Sequence, residues 1–240
     1  MKFEDIKKLH QKKFRAELGH FLLEGEHLVQ ELQRAAAHDP RLRTSEVYLT
    51  REHEHWVSAL PTHLVNSRHM TQISETRSPQ GIAAVVPILP PAPPRPGERA
   101  IYLHEVQDPG NLGTILRTLA WFGGFRCLLS PNSVDLHNGK AVRASMGAIF
   151  HVPVEIDVPI ETLPARFGSR IASLDLAGRP VTAAEFRDFD CYLYGNEARG
   201  LPREALAGVQ AAAFTIAGTG AIESLNVATT VSICQYELAR

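Results

Sequence analysis

Five polar residues stand where apolar segments begin or end. They are Asn111 and Arg117 in DPGNLGTILRT, Glu197 in LYGNEARGLP, and Ser224 and Asn226 in IESLNVATTV. Two amides, a guanidinium, a carboxylate and a hydroxyl make a donor and acceptor set suited to orienting a ligand. Helix starts at the same junctions add free backbone N–H groups. After the Asp108-Pro109-Gly110 turn, Asn111 is placed to cap the next helix. Arg117, in an otherwise apolar stretch, calls for partners for its charge. Glu197 follows CYLYG directly and reads as an orienting carboxylate, while Gly195 permits close backbone approach. Ser224 reads as the N-cap of the last helix, with Asn226 in its first turn. Other chemistries lack their signatures. Gly218-Thr219-Gly220 misses the third glycine of a dinucleotide fingerprint, and neither GxxxxGK[ST] nor GxSxG occurs.

The elements that must position these residues alternate. Between residues 100 and 240 the strand-like runs are IYLHEV (101–106), FRCLLS (125–130), FHVPVEI (150–156), IASLDL (171–176), CYLYG (191–195) and AAFTIAG (212–218). Helical patterns lie at Asn111–Phe122, Lys140–Met146, Glu161–Phe167, Ala183–Asp188 and Ser224–Ala239. This alternation predicts an α/β domain with a mainly parallel sheet, whose ligands collect at the carboxyl ends of its strands. Upstream, Lys2–Leu18 reads as a helix stopped by Gly19, and Gly25–Ala37 as a second. Strands are expected at Phe21–Leu23, Glu46–Thr50, His63–Asn66 and Gly81–Val86. Six prolines between Pro87 and Pro96 forbid helix and central strand and predict a semi-rigid linker. The expected division is therefore a domain at 1–86, a linker at 87–99 and a domain at 100–240.

Composition sets bounds. The chain has 240 residues, 44% hydrophobic and 21% charged, with net charge −1, as in an ordinary soluble globular protein. No apolar run reaches membrane-helix length, and the N-terminus lacks an apolar signal core, so a cytoplasmic protein is expected. Cys127, Cys191 and Cys234 sit apart in apolar runs and read as buried free thiols; the eleven histidines are scattered and fit no metal site. The overall charge does not demand nucleic acid. The first fifteen residues, however, carry Lys2, Lys7, Lys8, Lys12, Lys13 and Arg15, a set able to grip phosphates.

DPGNLGTILRT, KAVRASMGAIF, LYGNEARGLP and IESLNVATTV, in this order, resemble the SpoU (TrmH) family of S-adenosylmethionine-dependent RNA ribose 2′-O-methyltransferases, over essentially all of residues 100–240. HQKKFRAELGHFLLEGEHLVQE is similar to the family's N-terminal substrate-binding domain, a smaller L30e-like α/β RNA-binding fold. The resemblance implies a deep trefoil knot in the C-terminal domain, S-adenosylmethionine bound in that knot, and a homodimer that completes the active site. Matched by motif, Gly195, Ile216 and Leu225 fall where backbone groups hold the cofactor. Asn111, Arg117, Glu197, Ser224 and Asn226 fall on the catalytic constellation. One departure is Ile216-Ala217-Gly218, where the family writes Ile-Pro-Met. The implied activity is ribose methylation of RNA, ribosomal RNA foremost. A tRNA target and a non-catalytic RNA-binding protein of the same fold are the alternatives. Arg117 is either general base or phosphate anchor.

Overall fold

The structure, a computed structural model, describes residues 1–240, the side chain of Ala205 excepted. The chain divides into two compact units, Met1–Pro90 with Asp135–His151, and Pro91–Val134 with Val152–Arg240. The segment Asp135–His151 lies inside the 100–240 range of the sequence yet groups with the N-terminal residues.

In the first unit the chain runs α1 (Phe3–Lys8), α2 (Lys12–Leu18), β1 (His20–Glu24), α3 (Glu26–His38), β2 (Glu46–Leu49), β3 (Thr62–Leu64), α4 (Ser67–Ile73) and β4 (Ile82–Pro87), joined by α6 (Gly139–Ser145) from later in the sequence. The single helix expected at the start is broken at Leu9–Gln11. Its end is as expected: Gly19 takes the left-handed conformation at φ 66° and its N–H meets the carbonyl of Arg15. The sheet order is β1-β4-β2-β3, antiparallel except for the β2/β3 pair. Central β4, IAAVVP, is buried almost throughout. One face packs on the α3 stripe of Leu28, Val29 and Leu32, with Val142 of α6 in the same cluster. The other holds Ile6, Leu9, Met70 and Ile73.

Arg15, expected among the phosphate-gripping cations, is instead structural. It is 4% exposed, donates from Nε and Nη2 to Asp135 Oδ2 at 3.0 and 2.5 Å, and from Nη1 to the Leu9 carbonyl at 2.6 Å. A buried guanidinium needs such partners, and Asp135 supplies the counter-charge. Lys7 and Lys8 pair with Glu4 and Asp5 one turn away.

The second unit is built on β5 (Arg99–Leu103), α5 (Pro109–Phe122), β6 (Phe125–Leu129), β7 (Val154–Glu155), α7 (Leu163–Phe167), β8 (Ile171–Pro180), β9 (Cys191–Tyr194), α8 (Arg203–Val209), β10 (Ala212–Thr215) and α9 (Val227–Ala239). Its six strands are all parallel, in the order β10-β8-β9-β5-β6-β7. Parallel strands buried on both faces read as near-continuous apolar runs; AIYL and CYLY do, and FRCLL is interrupted only by Arg126, which is paired with Glu98 and Glu155. Alternation then sorts the faces. Ala100 and Tyr102 of β5 join Leu163 of α7 and Val209 of α8, while α5 packs on α9. The last carbonyls of α9 are held by two arginines: Arg99 Nη1 donates to Leu238 and Arg187 Nε to Glu237, at 3.3 and 3.1 Å.

Two expectations shrink. The strand expected at 150–156 is reduced to Val154–Glu155, because Ala148–Phe150 is a 3-10 turn and Pro153 lacks the N–H a longer ladder needs. Ala184–Asp188 is likewise 3-10 rather than α. The three cysteines are free and buried, and no helix among the described residues is long and apolar enough to cross a membrane.

His137 gives the first unit a pH dependence. It packs on Phe21 with ring centroids 4.7 Å apart, and burial pushes its pKa down from 6.5 to about 4, with Asp135 opposing and Arg15 reinforcing the shift. The unfolded chain then binds a proton that the folded one refuses. Its contribution is complete above about pH 6.5 and is lost as pH falls toward 4, on the order of 1.4 kcal/mol per pH unit. Thermal unfolding followed from about pH 7 to about pH 5 should show this loss. His137→Gln should flatten the slope, and an unchanged slope would mean that another group titrates.

Candidate functional site

Because every strand of the second sheet runs the same way, the segments leaving β5, β9 and β10 emerge at one edge. β5 and β9 are neighbours, with Leu103 level with Tyr194, so the turn after β5 meets the loop after β9. This adjacency brings residues some ninety positions apart into hydrogen bonds.

The helix after β5 begins at Pro109, whose fixed φ and missing N–H suit a first helical position. Its cap is Asp108, which accepts from the Asn111 N–H at 2.9 Å. Asn111 was expected to be the cap. Lying one turn inside the helix, it keeps its side chain for other partners. Asn111 Nδ2 donates to Glu197 Oε1 at 3.0 Å, and Asn111 Oδ1 accepts from Asn226 Nδ2 at 2.9 Å. Asn226, not Ser224, caps α9: its Oδ1 accepts from the N–H groups of Ala228 and Thr229 at 2.9 and 3.3 Å. The cap thus moves two residues and the helix starts three residues later than expected, at Val227, leaving Ser224 exposed in the preceding segment.

The orientation of this chain is forced. A carboxylate accepts only, so Asn111 must turn its amide nitrogen toward Glu197. Backbone N–H groups donate only, so Asn226 must turn its oxygen to α9 and its nitrogen to Asn111. Glu197 gains two longer bonds from the N–H groups of Gln107 and Asp108, at 3.3 and 3.4 Å. The carboxylate therefore lies against the positive end of α5.

Beside this chain is a cavity of about 660 Å³, bordered by the Gly195–Leu201 loop, by Leu174–Leu176 after the straight part of β8, and by Thr215–Ile216 and Glu223–Val227. Its size suits a nucleoside-bearing small molecule. Gly195 is required where it stands. A Cβ there would lie 2.3 Å from the carbonyl carbon of Gly200 and 2.6 Å from its Cα. The loop folds back on itself, closed by Asn196 N–H to Gly200 O at 3.1 Å and Gly200 N–H to Asn196 O at 2.9 Å. Asn196, overlooked in the sequence, organises it. Buried at 8% exposure, it donates from Nδ2 to the Glu105 carbonyl at 2.8 Å and accepts from the N–H groups of Ala198 and Arg199. Its signal was its place between Gly195 and Glu197, where a short polar side chain can accept from the N–H groups two and three residues on.

Of the eight expected residues, Gly195, Glu197, Ile216, Ser224, Leu225 and Asn226 border the cavity, and Asn111 joins through its two hydrogen bonds. Arg117 stands apart. It is exposed on α5, outside the cavity lining, with no hydrogen bond or ion pair among the described residues. The partners expected for a buried guanidinium are absent because the position is on the solvent side of the helix, between Leu116 and Thr118.

Comparison with known proteins gives the family. Residues 98–236 match the model of the SpoU rRNA methylase family, and residues 2–84 that of the MRM3-like substrate binding domain. The 23S rRNA (guanosine(2553)-2′-O)-methyltransferase RlmP of Bacillus subtilis is 30% identical over 99% of this chain and 95% of its own. The structure of a putative RNA methyltransferase of the TrmH family from Porphyromonas gingivalis superposes with a TM-score of 0.85 at 29% identity, covering 98% of this chain and 96% of that one. An AdoMet-bound rRNA methyltransferase from Sinorhizobium meliloti gives 0.83 at 27% identity, covering 98% and 93%. The chain belongs to the SpoU rRNA methylase family. It is an S-adenosylmethionine-dependent RNA 2′-O-methyltransferase carrying an MRM3-like substrate-binding domain.

Asn226 separates two jobs that one side chain performs. Asn226→Asp keeps an acceptor for the helix start, so stability should change little. It loses the donor to Asn111 and sets a second carboxylate near Glu197, so methylation should fall by more than about tenfold. Asn226→Ala should cost activity and also about 1 kcal/mol of stability. Denaturant titration beside a methylation assay checks both. If Asn226→Asp were fully active, the hydrogen-bond chain would have no part in the reaction.

Proposed function

We propose that this protein methylates a ribose 2′-hydroxyl of large-subunit ribosomal RNA, with its cofactor in the Gly195–Asn226 cavity. The observation that carries the reading is the forced Glu197–Asn111–Asn226 chain at the cavity's edge. The Bacillus relative, alike along its full length, is named for a guanosine of 23S rRNA, which supports an rRNA over a tRNA target. A non-catalytic RNA-binding role would leave the intact chain of polar groups without a task.

Gly195, Ile216 and Leu225 offer the cofactor backbone groups and an apolar border; Asp175, Glu197 and Glu223 outweigh Arg199 and Arg203 around the cavity, which suits a cationic ligand. S-adenosylmethionine supplies, when bound, a methyl group already activated on a sulfonium, so no metal is needed. The remaining task belongs to the protein. A ribose hydroxyl is a weak nucleophile, and holding it in line with the methyl carbon is the main gain available. Asn111, Ser224 and Asn226 orient the ribose, while Glu197 fixes Asn111. Arg117, an exposed cation with free donors, anchors the adjoining phosphate.

The reading includes a homodimer through the C-terminal domain, a trefoil knot threading its end, and a cytoplasmic location. Support for the dimer lies on α5 and α9, which pack together and leave Trp121 84% and Tyr236 57% exposed. Aromatic side chains are enriched at protein–protein interfaces, so this packed helix pair offers a partner surface. A second copy there would also bring Arg117 to a shared site. Sedimentation at micromolar concentration should find a dimer; a stable monomer ends this part of the reading.

Mapping ribose methylation across total RNA from a strain lacking the protein tests the activity. One 23S rRNA position should lose its methyl group, and loss from a tRNA alone would overturn the target. Arg117→Ala should lower the single-turnover rate by about 100-fold or more with cofactor binding intact. Arg117→Lys should fail largely too, since an ammonium lacks the planar donor fork. Retention of more than about a tenth of the rate, a loss under about 1.4 kcal/mol, would make Arg117 dispensable.

A further inference from the structure

Glu105, the second residue after β5, has its backbone in the left-handed region at φ 47°. A residue with a Cβ holds that conformation only where its surroundings impose it. Its N–H donates to Ser130 Oγ at 2.7 Å, and its carbonyl accepts from Asn196 Nδ2 at 2.8 Å and Gln107 Nε2 at 2.9 Å. Its carboxylate accepts from Arg199 Nη2 at 2.6 Å. Segments following β5, β6 and β9 are thus tied to this one residue.

The ties run in both directions. Asn196 and Arg199 of the cavity loop reach back to Glu105, while Glu197 of the same loop reaches forward to the N–H groups of Gln107 and Asp108 and to Asn111. The loop is closed on itself through the Asn196–Gly200 pair, which couples the positions of its residues. Its position over the cavity and the position of Asn111 therefore vary together.

We propose that Glu105 and Arg199 are positioning residues, a clasp that sets the Asn196–Gly200 loop against α5 so that cofactor binding and the Glu197–Asn111 contact are assembled in one step. The proposal rests on the reading of the cavity as the S-adenosylmethionine site. Strain at Glu105 is then functional, maintained because the clasp needs a carboxylate at a backbone position better suited to glycine. Arg199 is largely exposed and Glu105 only partly buried, so the pair contributes modestly.

The test is calorimetry with S-adenosylmethionine, thermal unfolding and single-turnover methylation on the full chain. Glu105→Asn tolerates the left-handed backbone but is too short to reach Arg199. It and Arg199→Ala should each weaken cofactor binding about two- to fivefold. The double variant should be no worse than either single one, because both remove the same contact. Arg199→Lys should recover part of the loss. Glu105→Gly should raise the unfolding temperature while weakening binding, opposite signs that a merely structural residue does not give. KM for RNA should stay constant throughout. Additive losses, unchanged cofactor affinity, or a rise in RNA KM alone (Arg199 then touching RNA) would overturn the clasp. Wild-type protein that binds no S-adenosylmethionine would instead overturn the reading of the cavity itself.

Discussion

The hydrogen bond from Asn111 to Glu197 is the constraint on which the site depends. It joins a helix start to a loop eighty-six residues later and fixes the polarity of everything beyond it. Reversing the Asn111 amide would set oxygen against a carboxylate and nitrogen against a nitrogen donor, losing two bonds at once. Both bonds face solvent, so water offsets part of what each contributes. Reversal still loses the two together, so one amide orientation is favoured over the other. On the proposed reading, a site that must align a weak nucleophile gains from groups oriented before substrate arrives.

Only one sheet topology makes the bond available. Asn111 and Glu197 follow β5 and β9, and those strands are neighbours although α5, β6, α6, β7, α7 and β8 lie between them in the chain. Parallel pairing then puts both strand ends at the same edge, and Leu103 beside Tyr194 puts them at the same height. The apolar runs of these strands and the hydrogen bonds beyond them are two parts of one specification. A one-residue slip would move Tyr102 and Leu193 out of their core cluster while pulling Glu197 away from α5.

The sequence was most legible where residue type has a single structural use. The Asp-Pro-Gly turn, Gly19 as a helix stop and the apolar strand runs needed no tertiary knowledge, and six of the eight expected site residues border one cavity. It was least legible where one residue type has two uses. Asp108 and Asn111 are both acceptable caps, and only the true helix start decides which of them is free to reach Glu197. Asn226 and Ser224 repeat the problem at α9. The two arginines show the same ambiguity: Arg15, expected among cations that grip phosphate, is buried on Asp135, and Arg117, whose apolar surroundings called for partners, lies in solvent. Helical periodicity accounts for Arg117, since six residues from Asn111 is a third of a turn away from its face. Nothing local accounts for Arg15, whose partner is 120 residues distant.

The departure at Ile216-Ala217-Gly218 bears on binding rather than on chemistry. Among the described residues, the stretch from Ile216 to Leu225 is held within the chain by a single weak hydrogen bond, Ala221 N–H to Thr219 Oγ1 at 3.4 Å. On one side of the cavity stands a loop closed on itself and tied to Glu105; on the other, a segment with little to fix it. A proline at 217 would restrict that segment before the ligand arrives, whereas alanine and glycine leave its ordering to be met from binding energy. Part of the proposed site is insulated from this. Asn226 lies beyond the loose stretch, fixed by the start of α9, and Glu197 lies in the rigid loop. Ser224 lies inside the loose stretch, so on the proposed reading its alignment with the ribose is ordered together with the cofactor, while Glu197, Asn111 and Asn226 keep their mutual hydrogen bonds whatever that segment does. The altered motif and the intact Glu197–Asn111–Asn226 chain are for that reason compatible in one protein.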